Sequence, residues 1–278
     1  MLAWLFARST GRRFLIRVED LDDRTHDDVA RSQLADLAAI GITWDEEPEW
    51  QSAHPQRYDT VIAGLAERSL VYECYCSRKD ILNAPRAPHA PEGAYPGTCR
   101  DLTATQRNRR REGGRPPALR LRAEADEYTV TDLLHGRYTG VVDDFVLRRG
   151  DGVPAYNLAV VVDDAHAGID QVVRGDDLLP SSPRQAYLAE LLGYPQPVYA
   201  HVPLALNADG KRLAKRDGAV TLSELGVPRA WELITGSLGW PAAVAPTRKA
   251  EGRPPLQALL ESFNPEHLPR EPWTYEPR

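Results

Sequence analysis

Cysteine is scarce in this chain, and so is any long apolar run. Three cysteines in 278 residues make an odd number, which excludes a self-contained disulfide framework. Two of them, Cys74 and Cys76, stand one residue apart, a spacing that favours metal over oxidation. No segment approaches the roughly 20 consecutive apolar residues of a membrane span, and the apolar start, Met1 to Phe6, is too short for a signal-peptide core with its flanks. No membrane partner is therefore expected, and a cytoplasmic protein is. Positive charge is not in excess: 34 Lys and Arg against 40 Asp and Glu give a net charge of -6. That argues against nonspecific coating of nucleic acid while leaving room for a local basic patch. Internal repeats are lacking as well. What is present is 42% hydrophobic and 27% charged content, enough for a sizeable core and for more than one structural unit.

Met1 to Arg8 reads as a helix stopped at Gly11, followed by a short run, Phe14 to Val18, with the look of a buried strand. Thr25 with Asp28 three residues later predicts a capping arrangement for a helix whose stripe, Val29, Leu34, Leu37 and Ile40, ends at Gly41. A second helix fits Tyr58 to Leu70. Residues 84 to 98 are crowded with Pro, Gly and Ala and predict a loop-rich inserted subdomain. Ala118 to Leu121, Asp144 to Leu147 and Gln171 to Arg174 read as strands, whereas Leu158 to Val162 is an apolar run that periodicity leaves undecided. Ser182 as cap, Pro183 at the first helical position and Gly193 beyond the end bracket another helix. Pro241 to Pro255 reads as a linker, with a short helix near Leu256 to Phe263. Strands that end in charged loops and lead into helices predict an α/β fold with a parallel sheet, in which ligands bind beyond the strand carboxyl ends.

Five constellations carry chemistry. Arg17-Val18-Glu19-Asp20-Leu21-Asp22 puts three carboxylates at a strand exit, where they can hold an ammonium group or simply form a solvated acidic loop. Arg174, in Val172-Val173-Arg174-Gly175-Asp176-Asp177, offers a bidentate fork to a carboxylate, or else a salt bridge to Asp176 or Asp177. Asn207 to Gly218 contains Arg212-Leu213-Ala214-Lys215-Arg216, a basic, glycine-flanked loop that reads as a phosphate clamp able to stabilise a pentavalent phosphorus centre, or else as solvated surface. Cys74, Cys76 and Cys99 read as three of the four ligands of a closed zinc site, with Asp101 or His89 the ordinary candidates for the fourth, or else as three unrelated buried thiols. Arg107, Arg109, Arg110, Arg111 and Arg115 form a cluster that reads equally as an RNA-backbone contact or a solvated helix face.

Taken together, these segments and Pro154-Ala155-Tyr156-Asn157-Leu158 to Asp164 resemble the glutamate-specific class I aminoacyl-tRNA synthetases, and within them the glutamyl-Q synthetases. The resemblance has recognisable motifs from Met1 to Leu225 and weaker ones to Trp273. It implies a Rossmann-like nucleotide-binding fold, a zinc-containing insertion and a short helical stem-contact region. It also implies that Glu19 binds the substrate amino group and that Tyr156 and Arg174 contact L-glutamate. Lys215 would meet ATP, with Arg212 beside it as a second catalytic cation. The zinc set would be Cys74, Cys76, Tyr95 and Cys99, one structural Zn2+ per chain. The five positions of the basic loop match a Lys-Met-Ser-Lys-Ser motif, with Arg212 for the first lysine and Ala214 for its first serine, so charge is kept and a hydroxyl lost. The reaction implied is ATP-dependent activation of glutamate, with Mg2+ accompanying the nucleotide, and transfer to the queuosine base of tRNA(Asp) by a monomer.

The expected organisation is residues 1-70 as the first half of the nucleotide fold, 71-125 as the zinc insertion, 126-225 as the second half with the basic loop, and 226-278 as the stem-contact remnant. About sixty residues after the basic loop are too few for an independent anticodon-reading domain. A truncated glutamyl-tRNA synthetase and a catalytically silent zinc-containing RNA-binding module are the competing readings. The second arises because the family's His-Ile-Gly-His segment, which contacts ATP at a helix N-terminus, has no counterpart in the sequence. The expectation is accordingly that roughly 20 to 30 further residues precede Met1 in the gene product, enough for a strand and a phosphate-binding turn, and that the shorter form lacks activity.

Overall fold

A computed structural model of the chain describes residues 1–22, 25–84, 94–213, 222–240 and 255–276. Helix α1 (Leu2–Ser9) buries Trp4 to Ala7, and the chain turns away at Gly11, whose φ of +69° suits a residue without a Cβ. The run after it is half-buried rather than fully buried. Only Arg17–Val18 form a strand, β1, paired in parallel with β2 (Glu49–Trp50), and Phe14 to Arg17 line a cleft instead of a core. Thr25 does not cap α2 (Asp27–Ala39). His26 holds the cap position, and the Thr25 hydroxyl donates to the Glu19 carbonyl at 3.1 Å, fastening the acidic loop. Helix α3 (Pro55–Glu67) starts with proline in its first turn and buries Tyr58, Ile62 and Leu65.

Strand β3 (Val71–Cys74), helices α4 (Arg78–Asn83) and α5 (Ala104–Glu112) and strand β4 (Ala118–Leu121) come next. Because β3 pairs antiparallel with β4, with Cys74 opposite Ala118, the cysteine-bearing segment leaves and returns at one place. Then follow β5 (Glu127–Asp132), β6 (Gly136–Val141), β7 (Val146–Arg148), α6 (Tyr156–His166) and β8 (Gln171–Gly175). The chain continues through α7 (Ser182–Leu192), β9 (Val198–Val202), β10 (Ala205–Leu206), α8 (Leu222–Ser237), α9 (Pro255–Ser262) and β11 (Trp273–Thr274). Ser182 is the first residue of α7 rather than its cap, which is Ser181; Gly193 closes the helix in the left-handed conformation as expected. Lys215 and residues 241–254 of the expected linker lie outside the described residues.

The sheet is mixed, not wholly parallel. Strands run in the order β6-β5-β9-β8, with β5, β9 and β8 mutually parallel and β6 antiparallel, while β3-β4-β7 form a separate antiparallel sheet. Chain length between strands explains the difference. α7 crosses over between β8 and β9, whereas β5 and β6 are joined only by Leu133, Leu134 and His135, too short for a crossover. The undecided run at Leu158 is helical because it continues to His166 and packs between α3 and α7, where Tyr58, Leu121, Leu147, Leu158 and Leu188 close the main core. A second core joins α1 to α8 and α9 through Trp4, Leu5, Trp231, Leu256 and Leu259. No helix among the described residues is long and apolar enough to cross a membrane.

Candidate amino-acid cleft and cysteine cluster

Between the extended segment leading into β1, helix α6 and strand β8 lies an open cleft of about 860 Å³. Glu19, Tyr156 and Arg174, distant in sequence, all line it. Glu19 is placed there by the exit of β1, Tyr156 by the first turn of α6 and Arg174 by β8. Of the three carboxylates expected to act together, Glu19 is the one on this cleft. Asp20 instead accepts from the Ser52 backbone N–H at 2.9 Å, and Asp22 pairs with Arg149 at 3.1 Å. Tyr156 keeps 43% of its surface open. Partial desolvation nonetheless raises its phenol above the ordinary value, against the opposing pull of Arg174.

The floor is electrostatically braced. Arg17 donates to Asp164 at 2.6 Å and approaches Glu19 at 3.4 Å. Burial raises the Asp164 carboxyl, and Arg17 acts against that rise. For Arg17 itself, desolvation works downward and Asp164 outweighs it, so its pKa is raised. One residue away on α6, Asp163 faces inward. Its buried carboxylate accepts from Gln51 Nε2 at 2.7 Å and the Tyr58 hydroxyl at 2.8 Å, tying α6 to α3. Arg174 makes neither of the salt bridges considered for it with Asp176 or Asp177. Its Nε donates to His201 Nε2 at 3.0 Å and its NH2 group to Ser182 Oγ at 2.8 Å, while Asp177 pairs with Arg212 at 2.7 Å.

The three thiols meet. Cys74, Cys76 and Cys99 bring their sulfurs within 4.8 Å of one another, with Cys76 Sγ and Cys99 Sγ 3.6 Å apart. Thiolates at about 2.3 Å from a tetrahedral zinc lie about 3.8 Å apart. The Tyr95 hydroxyl stands 3.3 Å from Cys74 Sγ and 3.9 Å from Cys76 Sγ, and it also accepts the Cys99 backbone N–H at 2.8 Å. Tyr95 thus adjoins the thiol cluster. Asp101, whose side chain is 83% exposed, is turned toward Arg122, and His89 lies outside the described residues. Burial first, then Cys74 and Cys99, push the Cys76 thiol up to about 12.

Comparison with known proteins matches residues 1–236 to the family described as tRNA synthetases class I (E and Q), catalytic domain. The chain is 60% identical over 278 residues to a glutamyl-Q tRNA(Asp) synthetase of Nocardia farcinica, covering 98% of this chain and 86% of that one. It is 41% identical to one of Symbiobacterium thermophilum, with 98% and 88% covered. The chain belongs to the glutamyl-Q tRNA(Asp) synthetase family of class I synthetases. A glutamate--tRNA ligase of Synechococcus is 41% identical over 249 residues, but there the match spans only 52% of the relative. The fold itself matches the crystal structure of a glutamate tRNA ligase from Elizabethkingia meningosepticum in complex with its amino acid. The TM-score is 0.74 at 22% identity, over 99% of this chain and 62% of that one.

For a member of this ligase family, the described part of the basic loop is informative. Arg212, 62% exposed along its side chain, is held toward β8 by Asp177. Of the arginine cluster, Arg111 pairs with Glu73 at 2.8 Å, the helix that carries it with Arg107, Arg109 and Arg110 has no buried residue, and Arg115 lies exposed beyond the helix. Sequence reasoning missed His201, Ser182 and Asp132, which together brace Arg174. A signal existed for one of them: a histidine in the otherwise apolar Val198-Tyr199-Ala200-His201-Val202 is a polar group that burial obliges to find partners.

Proposed function

We propose that the protein activates L-glutamate with ATP and transfers it to the queuosine base of tRNA(Asp). The observation that carries this reading is the single cleft with a carboxylate, Glu19, and a guanidinium, Arg174, on its walls and the Tyr156 phenol between them in sequence and role. Glutamate presents a matching ammonium and side-chain carboxylate, and glutamine would leave half of the Arg174 fork unpaired. In the first step an oxygen of the substrate α-carboxylate forms a bond to the α-phosphorus of ATP and pyrophosphate departs. Arg212 and Lys215 are the cations offered to the charge that develops there, with Mg2+ on the nucleotide. In the second, a hydroxyl of the acceptor attacks the activated carbonyl and AMP leaves. Cys74, Cys76, Cys99 and Tyr95 fit one structural Zn2+, which would fix the fold of residues 71-125, inserted between the two halves of the nucleotide fold, 1-70 and 126-225. Residues 226-278 would serve as a contact with the tRNA stem. We read the protein as a cytoplasmic monomer, a setting in which thiols stay reduced.

Glutamate-dependent exchange of pyrophosphate into ATP tests the first step. Exchange with glutamate and far less with glutamine supports it; equal rates with both would remove the role of Arg174. The acceptor is tested by comparing tRNA(Asp) that carries queuosine with the same tRNA lacking it, and charging of both alike would point to the terminal ester of an ordinary glutamyl-tRNA synthetase.

A further inference from the structure

We infer that Ser182, His201 and Asp132 form a buried relay that holds Arg174 in the orientation needed to meet a side-chain carboxylate, and so act as positioning residues for amino-acid selection. The inference rests on the glutamate reading of the cleft. Asp132, at the end of β5, accepts four hydrogen bonds. Three come from the backbone N–H groups of Leu134 (2.8 Å), His135 (2.9 Å) and His201 (3.0 Å), and the fourth from His201 Nδ1 at 2.6 Å. An acceptor so surrounded stays ionised and fixes the ring proton on Nδ1. Nε2 is then left with a lone pair, which takes the Arg174 Nε–H at 3.0 Å, while Ser182 Oγ takes an NH2 proton at 2.8 Å. A protonated ring would set N–H against N–H, so the contact with Arg174 selects the neutral imidazole.

These three residues have the types and order of a hydrolytic triad, but they cannot serve as one. Ser182 and His201 are both fully buried, and the lone pair that would receive the serine proton is shared with Arg174. What the arrangement does instead is clamp one edge of the guanidinium from two directions. Arg174 and His201 are direct register partners on β8 and β9, so the sheet sets their separation, and Ser182 is delivered by the first turn of α7. The Tyr199 ring lies 5.6 Å from the guanidinium carbon and limits rotation of its plane. With Nε and one NH2 proton committed to the relay, NH1 and the remaining NH2 proton form the end of the fork that meets a ligand beside Tyr156. A lysine would make the charge but lose both the clamp and the planar direction.

A matched pair of substitutions separates positioning from packing. His201→Gln places an amide oxygen where Nε2 lies, and His201→Asn is too short to do so, yet both lose the ring stacked on Tyr199 at 5.8 Å. The expected result is a glutamate KM raised about tenfold or more in His201→Asn and in Ser182→Ala, recovering in His201→Gln to within about threefold of the parent. The KM for ATP should stay constant throughout. Equal glutamate KM values for the two His201 variants, or a Ser182→Ala value within about twofold of the parent, would overturn the inference. A second readout needs no turnover: ¹⁵N NMR of the parent should show the His201 ring protonated at Nδ1 and bare at Nε2, with the Nε2 resonance displaced in Arg174→Ala. The opposite tautomer or an imidazolium at neutral pH overturns the relay alone. A correct tautomer in a protein that neither binds nor activates glutamate overturns the reading of the cleft, and the inference with it.

Discussion

Replacing Arg174 by Ala separates recognition from folding, because the side chain's internal hydrogen bonds and its meeting with a ligand involve different partners. In the folded protein Arg174 gives two hydrogen bonds, to His201 and Ser182, and those partners lie 3.2 Å from each other. When the guanidinium is removed they can satisfy one another, so neither is orphaned in the core. Two net hydrogen bonds at about 0.5–1.5 kcal/mol each give a stability loss of about 1–3 kcal/mol. For a chain of this size that lowers Tm by about 2–4 °C per kcal/mol. For glutamate the loss is of another kind, since a carboxylate drawn into the cleft would lack its charged fork. Removing one partner of a desolvated, hydrogen-bonded charge pair costs about 2–5 kcal/mol. At about 1.36 kcal/mol per factor of ten, that is a thirtyfold or greater fall in kcat/KM for glutamate. Pyrophosphate exchange measured against glutamate and against ATP, with Tm recorded alongside, supplies the three numbers. The expected outcome is a large rise in the glutamate KM, an ATP KM within about twofold and a folded protein. Equal losses for both substrates would refute the reasoning and indicate a general folding defect.

Protein purified without chelators should contain one zinc per chain by elemental analysis, and Cys99→Ser should lose it while loosening residues 71-125 and leaving the main core formed; a zinc-free parent refutes the site. Asp163→Ala strands the buried Tyr58 hydroxyl and Gln51 amide that the carboxylate now satisfies. It should cost about 2–4 kcal/mol in urea unfolding, and an unchanged midpoint would show that α3 and α6 are not tied there. The Asp132 carboxyl is held below its ordinary value of 3.8: burial opposes this, but the hydrogen bonds from His201, Leu134 and His135 prevail. Its stabilisation is therefore complete above pH 4 and is lost as pH falls through the depressed value, so Asp132→Asn should flatten the acid limb of the stability curve; an unaltered slope below pH 4 would contradict that.

Helix limits were legible wherever local chemistry decides them. The left-handed glycines at Gly11, Gly41 and Gly193 end helical stretches as the sequence indicates, because only a residue without a Cβ takes that conformation at little cost. The family resemblance brought Glu19, Tyr156 and Arg174 into one reading and set Tyr95 beside three thiols, and in the structure the first three line one cleft and Tyr95 adjoins the sulfurs. These are features carried by residue type and short-range order. Thr25 and Ser182 show where that reasoning stops. Both look like caps, yet each hydroxyl serves a partner outside its helix, the Glu19 carbonyl in one case and Arg174 with His201 in the other. Strand direction in the sheet, the divergence of Asp20 and Asp22 from Glu19, and the brace behind Arg174 all depend on segments far apart in sequence. Asp132, Ser182 and His201 span three elements, and only their burial together makes each hydrogen bond obligatory. The sequence therefore determined which groups face chemistry, and the tertiary structure decided which groups hold them still, because desolvation and register exist only once the chain has closed upon itself.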